Sequence, residues 1–264
     1  MMKSILGFAA AFILFAAPAV AAPCGGDFET WLASFRREAA QQGISPRALA
    51  ALDGVTPNPQ VISLDRRQGV FGQSFEQFSG HRISERLARA QRMMLTHASL
   101  LQRIEARFGV PGSILVAIWG LETDFGAAIG NQSVVRALAT LAHDCRRTQM
   151  FQGELLAALQ IIDRGDLSPG EMRGAWAGEL GQAQFLPSNY LKYAVDFDGN
   201  GRRDLIRSAP DTLASIANLL KNFGWQRGAG YREGSANFSV LSAWNKSTVY
   251  QKTIAAFAER LDGR

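Results

Sequence analysis

Two cysteines and three histidines leave this chain short of transition-metal ligands. Cys24 and Cys145 show no zinc-type spacing, and His81, His97 and His143 are scattered, reading as ordinary surface or capping residues. No apolar run reaches the roughly 20 residues that span a bilayer, so no membrane-crossing helix is expected. Long period-two alternation is missing, which argues against a mainly β architecture. No internal repeat and no low-complexity tract interrupts the chain. What remains, 264 residues at 47% hydrophobic, is enough for one large domain or two small ones with a real core.

The N-terminus is organised differently from the rest. Lys3 gives a short positive region, residues 5–15 an apolar one, and Ala19-Val20-Ala21 a small-x-small cleavage signature. Residues 1–22 therefore read as a signal peptide, cut after Ala21 or Ala22. Pro23, just before Cys24, is a poor fit to a lipid-attachment site, so a soluble periplasmic protein is expected rather than a lipoprotein. In an oxidising compartment Cys24 and Cys145 can pair, and two separate thiols are the alternative. The formal charge of +5 becomes +4 once Lys3 is lost (5 − 1). That suits an anionic partner, and export favours an acidic envelope polymer over nucleic acid.

The mature chain reads as consecutive helices. Asp27 caps one with Phe28, Trp31, Leu32 and Phe35 on a single face. Ser45-Pro46 opens another. Ser84 is expected to cap a long helix through Ile104, closed by Gly109, and Pro111 to start the next. Amphipathic helices follow over 133–143 and 148–163, the second with Phe151, Leu155, Leu159 and Ile162 in phase. Pro187 begins a short helix, Asp211 a longer one and Thr248 the last, while residues 237–241 alternate as a short strand would.

Glu122 ends the apolar run of residues 114–121. On a helix, Leu115, Ile118 and Trp119 share its face. A carboxylate there loses hydration and keeps its proton nearer to neutral pH, as a general acid must. The alternative is a helix-terminal Glu turned to solvent. Downstream, a Gly-rich stretch holds Trp176, Gln182 and Gln184. Aromatics stack on sugar faces and amides bond hydroxyl and acetamido groups, although Trp176 could equally plug the core. In Asp196-Phe197-Asp198-Gly199-Asn200-Gly201, oxygen ligands fall at loop positions one, three and five and Gly at six, as a calcium loop begins. The backbone carbonyl of Arg202 would be position seven. Position twelve is Arg207, so Asp211 would have to close an elongated loop. The alternative is a metal-free turn.

Together these stretches resemble the MltB-type lytic murein transglycosylases, of the glycoside hydrolase family 103 type. The resemblance runs through residues 118–126 (Ile-Trp-Gly-Leu-Glu-Thr-Asp-Phe-Gly), 136–142, 176–187 (Trp-Ala-Gly-Glu-Leu-Gly-Gln-Ala-Gln-Phe-Leu-Pro) and 193–201. It continues through 215–218, Gly224-Trp225, Trp244-Asn245-Lys246-Ser247 and Tyr250, in order over nearly the whole mature chain. It implies a mainly α, lysozyme-like domain over residues 23–264 with its cleft core at about 84–226. It implies a carbon–oxygen lyase that cuts peptidoglycan glycan strands in the cell wall and leaves 1,6-anhydro ends. Glu122 would be the acid and then the base, with substrate contacts from Arg146, Arg147, Gln184, Asn245 and Tyr250. No cofactor would be required, calcium would be structural, and other wall-remodelling proteins are candidate partners. Ala175 departs from the Ser common in this family, Glu179 from a small apolar residue, and the segment between Trp225 and Trp244 is short. A hydrolytic muramidase using Glu122 with Glu179, and a non-catalytic peptidoglycan-binding protein, are the competing readings.

Overall fold

The computed structural model describes residues 24–67 and 74–263; the signal-peptide reading of residues 1–22 lies outside them. Helix α1 (Phe28–Gln41) begins where Asp27 accepts the Thr30 N–H at 2.8 Å. Helix α2 (Pro46–Leu49) follows the Ser45 cap, and α3 (Pro59–Arg66) the Asn58 cap. Helix α4 (Phe75–Thr96) is capped by Ser74, ten residues before the expected Ser84. Ser74 and Gln77 form a reciprocal capping box there, which satisfies two amides that Ser84 alone could not. Ser84 lies inside the helix, and its hydroxyl donates to the His81 carbonyl at 3.1 Å.

The expected continuous helix also breaks at His97. Helix α5 (Ala98–Phe108) runs on from there to Gly109, which has φ +82°. Helix α6 (Gly112–Thr123) is the centre of the molecule, packed by α4 and α5, and by two later helices, α10 and α12. Every residue of α6 is buried except Glu122. No single helix among the described residues is long and apolar enough to cross a membrane. The α5–α6 pair reaches the length only together, across a 110° bend.

Strand β1 (Gln132–Ser133) pairs antiparallel with β2 (Arg173–Gly174), Gln132 opposite Gly174. Between them, α7 (Val134–His143) packs on α8 (Thr148–Arg164). Helix α9 (Pro187–Tyr193) lies on α8, and α10 (Ala209–Asn222) begins at the Ser208 cap. Residues 237–241 are not a strand. Ala236–Val240 forms a short helix, α11, and α12 (Thr248–Leu261) completes the chain. The reason is Asn237, which is fully buried. Its amide donates to the carbonyls of Gln226 and Ala229 and accepts the Gln226 N–H at 2.7 Å, tying down a turn instead of extending a sheet. Cys24 and Cys145 are disulfide-bonded, with Cα atoms 5.1 Å apart across 121 residues of sequence. The Gly25 N–H to His143 carbonyl bond, 2.9 Å, runs beside it.

Candidate functional site

Helix α6 delivers Glu122 to the wall of a cavity of about 280 Å³. The helix must stop there. Asp124 turns left-handed at φ +52°, and its carboxylate is taken by Arg89 at 3.2 Å and Arg86 at 3.6 Å. Arg86 also donates to the Gly120 carbonyl at 3.0 Å, so a cation meets the negative end of the helix.

Gln182 fixes the other side of this turn. Its Oε1 accepts the Trp119 indole N–H at 2.9 Å and its Nε2 donates to the Ile206 carbonyl at 3.0 Å. The Thr123 hydroxyl donates to the Gln182 carbonyl at 2.7 Å. Both ends of the Gln182 amide are thus engaged in a buried position behind the wall. Gln184 does line the cavity. It holds φ +50° while its Nε2 donates to the carbonyls of Gly181 and Ile129 at 2.8 and 3.2 Å. Gly174 permits this loop to fold back. A Cβ there would lie 1.8 Å from the Glu179 carbonyl oxygen, which accepts the Ala175 N–H.

The Glu122 Oε1 accepts two hydrogen bonds, from the Trp244 indole N–H and the Tyr250 hydroxyl, each 2.7 Å. Burial pushes its carboxyl above the ordinary carboxylate value. The two donors oppose that, the Glu179 charge adds to it, and Arg82 opposes it. Its place at the C-terminal end of α6 disfavours the anion in the same sense. Burial and the Glu122 charge also push the Tyr250 hydroxyl well above its usual value, so it is a permanent donor. Glu179 is raised too, by burial, against the amides of Glu179 and Ala177 and the Arg147 charge.

Of the remaining sequence-derived residues, Asn245 lines the cavity beside Trp244, as does the methyl of Ala175. Trp176 is half-buried and packs against the core. Arg146 and Arg147 sit before α8, outside the cavity lining, and both bind the buried carboxylate of Asp65, Arg146 at 2.8 Å. Trp244 was missed as a functional residue. No spacing links it to Glu122; the signal for it in the sequence is its place in the Trp244-Asn245-Lys246-Ser247 stretch of the resemblance.

The acidic loop brings Asp196, Asp198 and Asp211 together, one oxygen of each within 4.8 Å of the others. Asp211 is fully buried and accepts the N–H groups of Phe197, Asp198 and Asp204. Burial raises its carboxyl, and those amides restrain the rise. Asp196 accepts from Gly199, Asn200 and Gly201, and Asn200 accepts the Arg202 N–H at 2.9 Å. Arg207, at position twelve, binds Asp204 and Glu171 instead, each at 2.7 Å.

The sequence profile of the transglycosylase SLT domain matches residues 27–234. Membrane-bound lytic murein transglycosylase B of Escherichia coli strain K12 is 40% identical over 129 residues, which are 48% of this chain and 36% of that protein. The match therefore spans about a third of that relative's length. SltB3 from Pseudomonas aeruginosa, solved with NAG-anhNAM-pentapeptide, is 31% identical with a TM-score of 0.86, over 90% of this chain and 80% of that one. The Escherichia coli lytic transglycosylase Slt35, solved in complex with calcium, shares the fold at 23% identity and TM-score 0.77, over 91% and 96% of the two chains.

Proposed function

Since the chain belongs to the transglycosylase SLT domain family, we propose that it is a lytic murein transglycosylase acting on peptidoglycan glycan strands. The observation that carries the reading is Glu122, a carboxyl raised by burial and held by two donors on the wall of a cavity. Protonated Glu122 gives its proton to the glycosidic oxygen as the bond between N-acetylmuramic acid and N-acetylglucosamine breaks. The acetamido oxygen of the muramyl sugar attacks the anomeric carbon from within the substrate and forms an oxazolinium ring. Glu122, now ionised, takes the proton of the C6 hydroxyl, whose oxygen displaces the acetamido oxygen and closes a 1,6-anhydro ring. No water is consumed. Trp244 and Tyr250 stabilise the carboxylate between the two proton transfers, when it carries its charge. That SltB3 has been solved with an anhydro-muramyl pentapeptide supports this product class for the present chain.

Gln184 and Asn245 are the lining amides suited to sugar hydroxyl and acetamido groups, and Gln182 to positioning the Gly-rich loop. Arg146 and Arg147, held by Asp65, suit an anionic part of the substrate beyond the cavity. Calcium would bind Asp196, Asp198, Asn200, Asp211 and the Arg202 carbonyl, an all-oxygen set of the kind that ion takes. There it would supply charge that ties α9 to α10. Export to the periplasm follows from the N-terminal sequence and the location of the substrate.

Mass analysis of muropeptides released from purified sacculi tests the reading. The mature chain is expected to release anhydro-muramyl ends, and Glu122→Gln to lose at least the ~10²–10⁴-fold of general acid–base catalysis. Reducing ends would favour the hydrolytic muramidase, for which Glu179 in the same cavity is the candidate base. Binding to sacculi without release would make the chain a binding protein. Near-full activity of the Gln variant would remove both enzymatic readings.

A further inference from the structure

Two carboxylates, Glu122 and Glu179, line the one cavity, and no lining residue carries a positive charge. The mechanism above uses only the first. Glu179 sits in a turn whose backbone is pinned: its carbonyl accepts the Ala175 N–H at 3.0 Å, and Leu180 exchanges hydrogen bonds with Phe185 on the next rung. Its Oε2 is buried without any hydrogen-bond partner. A carboxylate oxygen in that state costs stability.

We propose that Glu179 is a positioning carboxylate, a fixed negative charge in the cavity wall that holds the proton on Glu122 until the glycosidic oxygen takes it. The proposal rests on the transglycosylase reading and deepens it. After transfer the same charge favours the cation developing at the anomeric centre, because a site with few screening groups transmits charge further than water does. Acting on Glu122 are Arg82 on α4, Tyr250 on α12, Trp244 before it and Glu179 in the cavity wall, while Arg86 acts on Tyr250. Asp124 is neutralised by Arg86 and Arg89, and Arg82 draws the proton off rather than holding it. Glu179 is the carboxylate whose charge acts on Glu122 from the same cavity wall. Burial raises the Glu179 carboxyl, and the amides of Glu179 and Ala177 and the Arg147 charge favour its ionised form against that burial.

The test is the pH dependence of kcat/KM on solubilised glycan strands for wild type and Glu179→Gln. Loss of the charge should move the alkaline limb, which reports deprotonation of Glu122, to lower pH. It should cut kcat at neutral pH by about tenfold, the effect of one pKa unit, with KM within about twofold and anhydro ends retained. Glu179→Asp should restore part of the limb, and melting should stay near wild type for both. Glu179→Met, similar in length without charge or amide, repeats the test if the Gln variant does not fold. A limb that stays in place overturns the proposal, as do reducing ends from wild type that the variant loses. If Glu122→Gln stays active, the reading of the reaction itself fails. If it is inactive while Glu179→Gln keeps the wild-type limb, only the present proposal fails.

Discussion

Replacing Tyr250 by Phe removes one oxygen and leaves the ring packed near Phe78, 6.0 Å between centroids. The lost group is the hydroxyl that donates to Glu122 at 2.7 Å. Trp244 remains as the other donor to the same oxygen. A hydrogen bond to a charged group is worth about 1.5–3 kcal/mol, so the ionised carboxylate loses that much relative to its protonated form. The sign follows from the state the bond favours. The Tyr250 donor lowers the Glu122 pKa, so its removal raises it further above the usual carboxylate range. Proton donation to the glycosidic oxygen then leaves a less stable anion, and the transition state loses up to the whole bond. The expected loss in kcat is on the order of 10–100-fold, since each 1.4 kcal/mol is a factor of ten. The alkaline limb of kcat/KM should move to higher pH, opposite to Glu179→Gln. Steady-state release of soluble muropeptides at fixed sacculus concentration, from pH 4 to about 9, measures both. An unchanged kcat, or a limb that moves to lower pH, would refute the assignment of Tyr250 as the donor that supports ionised Glu122.

Glu122 binds a proton more tightly folded than unfolded, so its contribution favours folding below the unfolded value of about 4.3 and is lost as pH rises through the folded value. Glu122→Gln should therefore melt higher than wild type at neutral pH and equally at pH below about 4 by differential scanning fluorimetry. Serine at Cys24 and Cys145 removes a cross-link over 121 residues; the typical loss of about 2–4 kcal/mol should lower the melting temperature by several degrees while activity below it persists. Millimolar calcium should raise the wild-type melting temperature, by about 5–10 °C when the ion is at 100 times its Kd. The shift should reverse on chelation and be absent in Asp198→Asn. Asp211→Ala should destabilise by about 3 kcal/mol or more with or without the ion, because three loop amides lose their acceptor.

What the sequence carried well was local. The Asp27 and Ser45 caps and the left-handed Gly109 each depend on a few adjacent residues, and each marks a helix end in the structure. Where two local signals compete, the pattern alone points to the wrong one. Ser84 looked like a cap, yet Ser74 with Gln77 caps both ways and draws the helix back to Phe75. Residues 237–241 alternate like a strand, yet a buried Asn237 that bonds residues 226 and 229 only works on a turn of helix. The site was legible by half. Glu122 stood out as a charge ending an apolar helix, and Asp211 as an acid placed to close the loop after Asp198. Neither the amide of Gln182, drawn behind the wall by Trp119, nor the indole of Trp244, aimed at Glu122 across 122 residues of sequence, follows from any period or spacing.

That half-legibility has a physical cause in α6. A helix buried on every other residue leaves its terminal carboxylate only the cavity side for hydration, so its chemistry depends on what the rest of the chain brings to it. With no donor, Glu122 would stay protonated and could not complete a cycle that needs its anion. With too many donors it would stay ionised and could not begin. Two neutral donors, from Trp244 and Tyr250, lower the cost of the anion without placing a full positive charge beside it. Arg82 and Glu179 act on the same carboxyl with opposite signs. The long-range closure of α12 onto α4 and α6 is what assembles this balance. Variants that loosen that packing, even far from the cavity, should therefore lose activity before they lose helix content. Near-ultraviolet and far-ultraviolet circular dichroism, read beside muropeptide release, would expose that order, and parallel loss of all three signals would contradict it.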